Sequence, residues 1–150
     1  MMIRVKKLRE DAKLPTTAYM WDAGYDLYCV EDEDFSDGEF VLKAGKSHTF
    51  HTGIQCAFPP EYVALIWDRS GLACKNDIHR LAGVIDGGYR GEWMIHLVNL
   101  GERDFTVSVG DKIAQFIIQS FKKFTIVECE ELGESERGTK GFGSSDKGTE

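Results

Sequence analysis

Apolar and polar residues follow one another along this chain in short runs, and each run is cut off by glycine, proline, asparagine or aspartate. YVALIW at 62–67, WMIHLVNL at 93–100, FTVSV at 105–109 and IAQFII at 113–118 are rich in β-branched and aromatic residues. They are too short for stable helices and read as strands. AGYDLY at 23–28 alternates as a strand does, with Asp26 facing away from Tyr25 and Leu27. Turn signals recur at Asp37-Gly38, Ala44-Gly45, Pro59-Pro60, Gly87-Gly88, 99–101 and 109–111. This rhythm predicts an all-β domain, a sandwich or barrel with Greek-key connections. The best helical segment is 70–75, one or two turns with Ser70 placed to cap the N-terminus.

A chain of 150 residues is the size of one domain with one core. The pattern divides it into a β domain over 1–132 and an arm over 133–150, where RGTKGFGSSDKGTE offers little to bury. That arm still holds Arg137 and Phe142 framed by glycines, which suits closure over a phosphorylated ligand.

Charge narrows the partners. With 18 basic and 25 acidic residues the formal net charge is −7, which argues against a nucleic-acid or anionic-membrane surface and leaves room for a local phosphate pocket. MMIRVKKLRED lacks the apolar segment of a signal peptide, and no run is long enough for a spanning helix, so a cytoplasmic location is expected. Cys29, Cys56, Cys74 and Cys129 form no C-x-x-C pair and read as reduced, mostly buried thiols. His48 and His51, three apart on a strand, point to opposite faces and make a poor metal pair.

Four stretches carry candidate chemistry. In WDRSGLA, Arg69 supplies a permanent charge, and Ser70 and Gly71 supply a hydroxyl and backbone N–H groups where a strand enters a helical turn, an arrangement suited to phosphate oxygens. The alternative is a capped turn with Arg69 paired to a neighbouring carboxylate such as Asp68. Asp26 needs a partner, either an arginine or the hydrated Mg²⁺ that accompanies a nucleoside triphosphate. Gln115 stands among apolar neighbours in GDKIAQF, as a structural amide would. In GVIDGGYRGEW, Asp86 precedes a Gly87-Gly88 turn and Tyr89 follows it. As a hairpin this places a carboxylate at a pocket mouth, able to take a proton from water, beside a ring that suits a deoxyribose. An ordinary hairpin whose aspartate caps its own backbone is the alternative.

AGYDLY, DRSGLA, GVIDGGYRGEW, GDKIAQF and RGTKGFGSS, in this order, resemble the homotrimeric deoxyuridine triphosphatase (dUTPase) family over about 14–145. The resemblance implies a jelly-roll-like distorted β-barrel and a homotrimer whose active sites are shared between subunits. It implies hydrolysis of dUTP to dUMP and pyrophosphate, with Mg²⁺ on the triphosphate. Carried over by position, Asp86 is the general base, Tyr89 the ring beneath the deoxyribose, and Gly83, Val84, Ile85 and Met94 offer backbone groups to uracil. Arg69, Ser70 and Gly71 are phosphate binders, with Ser70 near the bridge to the leaving group, and Gln115 supports them. Asp26 reaches the magnesium through water. Arg137 clamps the γ-phosphate, Phe142 stacks on uracil, and Gly143 and Ser144 add phosphate contacts in an arm that orders when substrate arrives.

Three residues depart from the family pattern. Asp68 replaces a common Gly or Pro and puts negative charge beside the phosphate loop, Gly88 replaces a commonly acidic residue, and Lys140 occupies a usual glycine position. The competing readings are a dCTP deaminase of the same fold, a dUTP-binding regulatory module without turnover, and a structural jelly roll. MIHLVN offers no glutamate for deamination, and a module without turnover has no use for the base.

Overall fold

Each expected run becomes a strand in the computed structural model, which describes residues 1–141. In chain order the elements are β1 (Arg4–Lys7), β2 (Tyr25–Tyr28), β3 (Glu39–Leu42), β4 (Ser47–His51), β5 (Ile54–Ala57), β6 (Tyr62–Trp67), α1 (Ser70–Asn76), β7 (Ile78–Leu81), β8 (Val84–Asp86), β9 (Met94–Asn99), β10 (Phe105–Ser108) and β11 (Lys112–Ser120). All pairings between these strands are antiparallel. The largest sheet runs β2-β11-β6-β8, a second runs β4-β9-β7, and β1-β5 and β3-β10 form two ribbons. Neighbours in space are mostly distant in sequence, which makes this the jelly-roll-like barrel expected.

The turn residues explain how the chain folds back. Asp37 and Gly38 both adopt positive φ, at 52° and 78°, the pairing that suits a tight antiparallel reversal. Asn99 is fully buried, and its amide nitrogen donates to the carbonyls of Leu42 and Arg103 while its side-chain oxygen accepts the Gly101 N–H. A buried asparagine with its polar atoms paired holds that corner as firmly as a hydrophobic residue would.

Trp93, Phe116, Phe50, Leu27, Ile95 and Leu97 anchor the core. Trp93 meets Phe116 edge-on at 5.0 Å and Phe58 edge-on at 6.3 Å. Burying a side chain of this size contributes roughly 1.5–3 kcal/mol. Along β9, Ile95, Leu97 and Asn99 face inward, so Met94 and His96 point to the other side.

Three expectations require correction. The arms around Gly87-Gly88 do not pair with each other as a hairpin: β8 pairs with β6, and β9 pairs with β4 and β7. Each arm completes a different sheet, so the two splay apart beyond the turn. Ser70 is not the cap of α1 either. Arg69 holds the N-cap position in an extended conformation without a side-chain cap bond, and the helix continues to Asn76, where Asp77 closes it at φ 55°. Of the four thiols only Cys29 and Cys56 are buried, whereas Cys74 and Cys129 are exposed.

Burial pushes the Cys56 thiol up to about 12 and raises that of Cys29 as well. Because the thiolate is the reactive form, native protein treated with iodoacetamide near pH 8 is expected to be alkylated at Cys74 and not at Cys29 or Cys56. Mass spectrometry checks this, with denatured protein labelled at all four as the reference.

Candidate active site

Two separate cavities gather the chemistry, and they share no lining residue. The first, of about 360 Å³, arises because β11 lies between β2 and β6. Gln115 is in register with Asp26 on one side and Trp67 on the other, so three stretches far apart in sequence meet at one end of the sheet. Residues opposite one another in antiparallel strands project to the same face, which brings Asp26, Gln115 and the start of α1 together.

Asp26 is almost fully buried. The Arg69 Nε donates to its Oδ1 at 2.8 Å, and the Lys112 Nζ lies 2.7 Å from its Oδ2. Arg69 is therefore paired to a carboxylate, but to Asp26 from β2 and not to its neighbour Asp68. The hydrogen bond to Asp26 raises the Lys112 pKa, so the ammonium keeps its charge throughout the neutral range. With both oxygens engaged, Asp26 does not offer a ready direct bond to a divalent ion. Its remaining lone pairs suit water from the shell of an ion carried in with a triphosphate. Ser70 and Gly71 are exposed beside this cluster and line the cavity.

Asp68 turns its charge away from this cavity. Its Oδ1 accepts the Arg80 N–H at 2.8 Å, and its Oδ2 lies 2.7 Å from the His79 Nδ1. The Gln115 side-chain nitrogen donates to the Asp68 carbonyl at 2.8 Å. The loop entrance is thus pinned to β7 by the side chain and to β11 by the backbone. Gly24 leaves room for this amide, since a Cβ would stand 2.1 Å from the Gln115 Oε1 and displace the side chain.

The second cavity, of about 370 Å³, opens where β8 and β9 diverge. Gly83, Val84, Ile85, Asp86, Tyr89 and Met94 all line it. Asp86 ends β8 on the surface, its backbone oxygen accepts the Tyr89 N–H at 3.0 Å, and its carboxylate has no partner among the described residues. Gly87 is buried, and a Cβ there would approach the Pro59 carbonyl to 2.8 Å, whereas Gly88 has open space around it. Gly83 needs its φ of 117° and its closeness to Ile66.

The cavity also contains groups that sequence reasoning missed. The Thr49 Oγ1 and the His96 Nδ1 are 2.6 Å apart on one wall, Arg80 lies over the Trp67 ring at 5.4 Å, and Glu92 closes one side. Only the outward face of β9 marks His96 beforehand, because Thr49 and Arg80 arrive from other strands. Tyr89 folds back over Gly91, and its hydroxyl donates to the Glu92 carbonyl at 3.1 Å.

The described part of the arm, residues 133–141, lines neither cavity. Arg137 donates to the carbonyls of Lys140 and Gly141 within its own turn, and both Arg137 and Lys140 are exposed. Phe142, Gly143 and Ser144 lie outside the described residues.

Comparison with known proteins follows the same lines. The family model described as dUTPase matches residues 10–146. A deoxyuridine 5'-triphosphate nucleotidohydrolase of Clostridium acetobutylicum is 46% identical over 145 residues, covering 95% of each chain, and one of Clostridium tetani is 45% identical over 147 residues, covering 97% of each. Among solved structures, the Staphylococcus bacteriophage 80alpha dUTPase with dUPNHPP superposes with a TM-score of 0.81 at 29% identity, covering 96% of this chain and 98% of that one. With the barrel, both cavities and near-full-length similarity in agreement, this chain belongs to the dUTPase family.

Proposed function

We propose that the protein hydrolyses dUTP to dUMP and pyrophosphate, limiting uracil in DNA and supplying dUMP for thymidylate synthesis. The observation that carries this reading is the Asp86 carboxylate, without a partner among the described residues, at a cavity that also presents Tyr89, set beside a second cavity lined by Arg69, Ser70 and Gly71. Asp86 holds a water and takes its proton as the oxygen attacks the α-phosphorus. The bond from that phosphorus to the bridging oxygen breaks, and pyrophosphate leaves with the electron pair.

The uracil edge meets backbone groups at Gly83, Val84, Ile85 and Met94, while Tyr89 lies under the deoxyribose, where a 2′-hydroxyl would be left unpaired. Arg69, Ser70 and Gly71 hold the phosphates, with Ser70 nearest the breaking bond and Gln115 fixing the loop that carries them. Arg69 can serve both roles, because its Nε faces Asp26 while its Nη2 makes no hydrogen bond among the described residues. Asp26 would hold a Mg²⁺ on the triphosphate by accepting from its water shell, and the ion would supply charge neutralisation there. A structural Mg(II) ion is named for a phage phi11 dUTPase of the same fold.

Each cavity is open at the surface, so a single nucleotide can engage the base cavity of one subunit and the phosphate-binding loop of a neighbour. A homotrimer with shared sites provides that arrangement, and it would also cover Trp21, Ile126 and Leu132, each more than 90% exposed in the single chain. Residues 133–150 then form the arm that closes the site, with Arg137 on the γ-phosphate, Phe142 on uracil, and Gly143 and Ser144 adding phosphate contacts. A cytoplasmic location accords with the absence of any helix long and apolar enough to cross a membrane among the described residues. The deaminase alternative loses ground at Glu92: it is the glutamate lining the base cavity, and both its oxygens face other partners.

The test is pyrophosphate release from dUTP, dCTP, dTTP and UTP with Mg²⁺. Release confined to dUTP supports the reading, and tight dUTP binding without release would replace it with a regulatory module. Gly91→Ala adds a sharper check, since the new Cβ would stand 2.2 Å from the Tyr89 hydroxyl oxygen. Displacing the ring is expected to lower kcat/KM for dUTP about tenfold, the cost of roughly one well-placed contact. Gly88→Asp, built into open space, is expected to stay close to the parent in the same assay.

A further inference from the structure

Tyr89 lies outside any strand and is 43% exposed, so core packing does not set the angle of its ring. What holds it is the hydroxyl bond to the Glu92 carbonyl and the Cβ-free surface of Gly91 beneath it. The position of that carbonyl is decided elsewhere. The peptide unit joining Glu92 and Trp93 is planar and trans, so its N–H and C=O point in opposite directions. Its N–H donates to the Ile54 carbonyl at 2.9 Å, and its C=O is thereby aimed at Tyr89.

The Glu92 side chain fastens the same residue from another direction. Its Oε1 accepts the Gly53 N–H at 2.7 Å, and its Oε2 lies 3.0 Å from the His51 Nδ1. Gly53 adopts a positive φ of 67°, and a Cβ there would stand only 2.8 Å from the Ala12 Cβ, so the position suits glycine alone. The carboxylate is thus held at both oxygens while it lines the cavity wall. Bonds to a charged acceptor are stronger than neutral ones, so this clamp is a firm mount for the segment 89–93.

We infer that Glu92 is a positioning residue for the Tyr89 ring, and through it a determinant of deoxyribose over ribose. The inference rests on the reading of Tyr89 as the sugar-facing ring. It assigns to Glu92, His51 and Gly53 the task of keeping the ring where a 2′-hydroxyl would meet it.

The experiment measures kcat/KM for Mg–dUTP and Mg–UTP in the full chain carrying Glu92→Ala, Glu92→Gln, Tyr89→Phe, Tyr89→Ala, or Glu92→Ala with Tyr89→Phe. Glu92→Ala is expected to lower the dUTP-to-UTP ratio about 3- to 10-fold, the scale of one net hydrogen bond. Glu92→Gln is expected to restore it, because an amide oxygen still accepts the Gly53 N–H. Tyr89→Phe removes the hydroxyl without disturbing the clamp and is expected to lower the ratio by a similar factor. The double variant is expected to be no worse than Tyr89→Phe alone, as two changes acting through one bond should be. A parental ratio in Glu92→Ala or in Tyr89→Phe, or losses that multiply in the double variant, would overturn the inference. Should Glu92→Ala fail to fold, His51→Ala, which removes one arm of the clamp, takes its place, and a parental ratio there would overturn the inference. A parental ratio in Tyr89→Ala would instead remove the reading of Tyr89 on which the inference stands.

Discussion

Asp86→Asn is expected to bind Mg–dUTP yet turn it over about 10²- to 10⁴-fold more slowly, the usual cost of losing a positioned general base. The structure makes this substitution unusually clean. Asp86 is exposed, its carboxylate has no partner among the described residues, and only its backbone oxygen serves the turn to Tyr89. Asparagine keeps the shape and the backbone bond while removing the proton acceptor, so the melting temperature should not move. Single-turnover pyrophosphate release, set beside equilibrium binding of a non-hydrolysable dUTP analogue, separates the two effects. Turnover near the parental rate would take the base role away from Asp86.

A chain ending at residue 132 should fold and assemble as the parent does, with hydrolysis lowered about 10²-fold through loss of the closing arm. The last strand among the described residues ends at Ser120, and every residue from Phe121 to Gly141 is exposed. Removing residues from Gly133 onward therefore deprives the barrel of no buried contact among the described residues. The shortened chain keeps Phe124, Ile126, Val127 and Leu132, whose exposed apolar surface is available to other copies. Light scattering checks assembly and steady-state kinetics checks the arm. A truncated protein working at the parental rate would show that the arm has no part in catalysis.

Much of the candidate site has a local signature in the sequence, because each of its groups stands in a setting that short-range chemistry marks. Asp86, Gly87 and Tyr89 announce a turn beside a carboxylate, and the glycines at 83 and 87 prove to be places where a side chain would not fit. Other features had no local trace. The partner of Arg69 comes from a strand more than forty residues away, and the charge of Asp68 is taken up by His79 and the Arg80 amide only because β7 folds back beside the loop. Thr49 and His96 meet across β4 and β9, a pairing that register alone decides.

By itself, the sequence determined strand content, the turns and the inventory of reactive groups, since alternation and turn chemistry act over a few residues and leave their pattern in order along the chain. Tertiary structure decided which strands became neighbours, and with that the two cavities. β11 between β2 and β6 assembled the cation cluster, and the departure of β8 and β9 into different sheets opened the space beside Asp86. Strand partners are chosen by long-range burial of one shared core, which no short stretch of sequence contains.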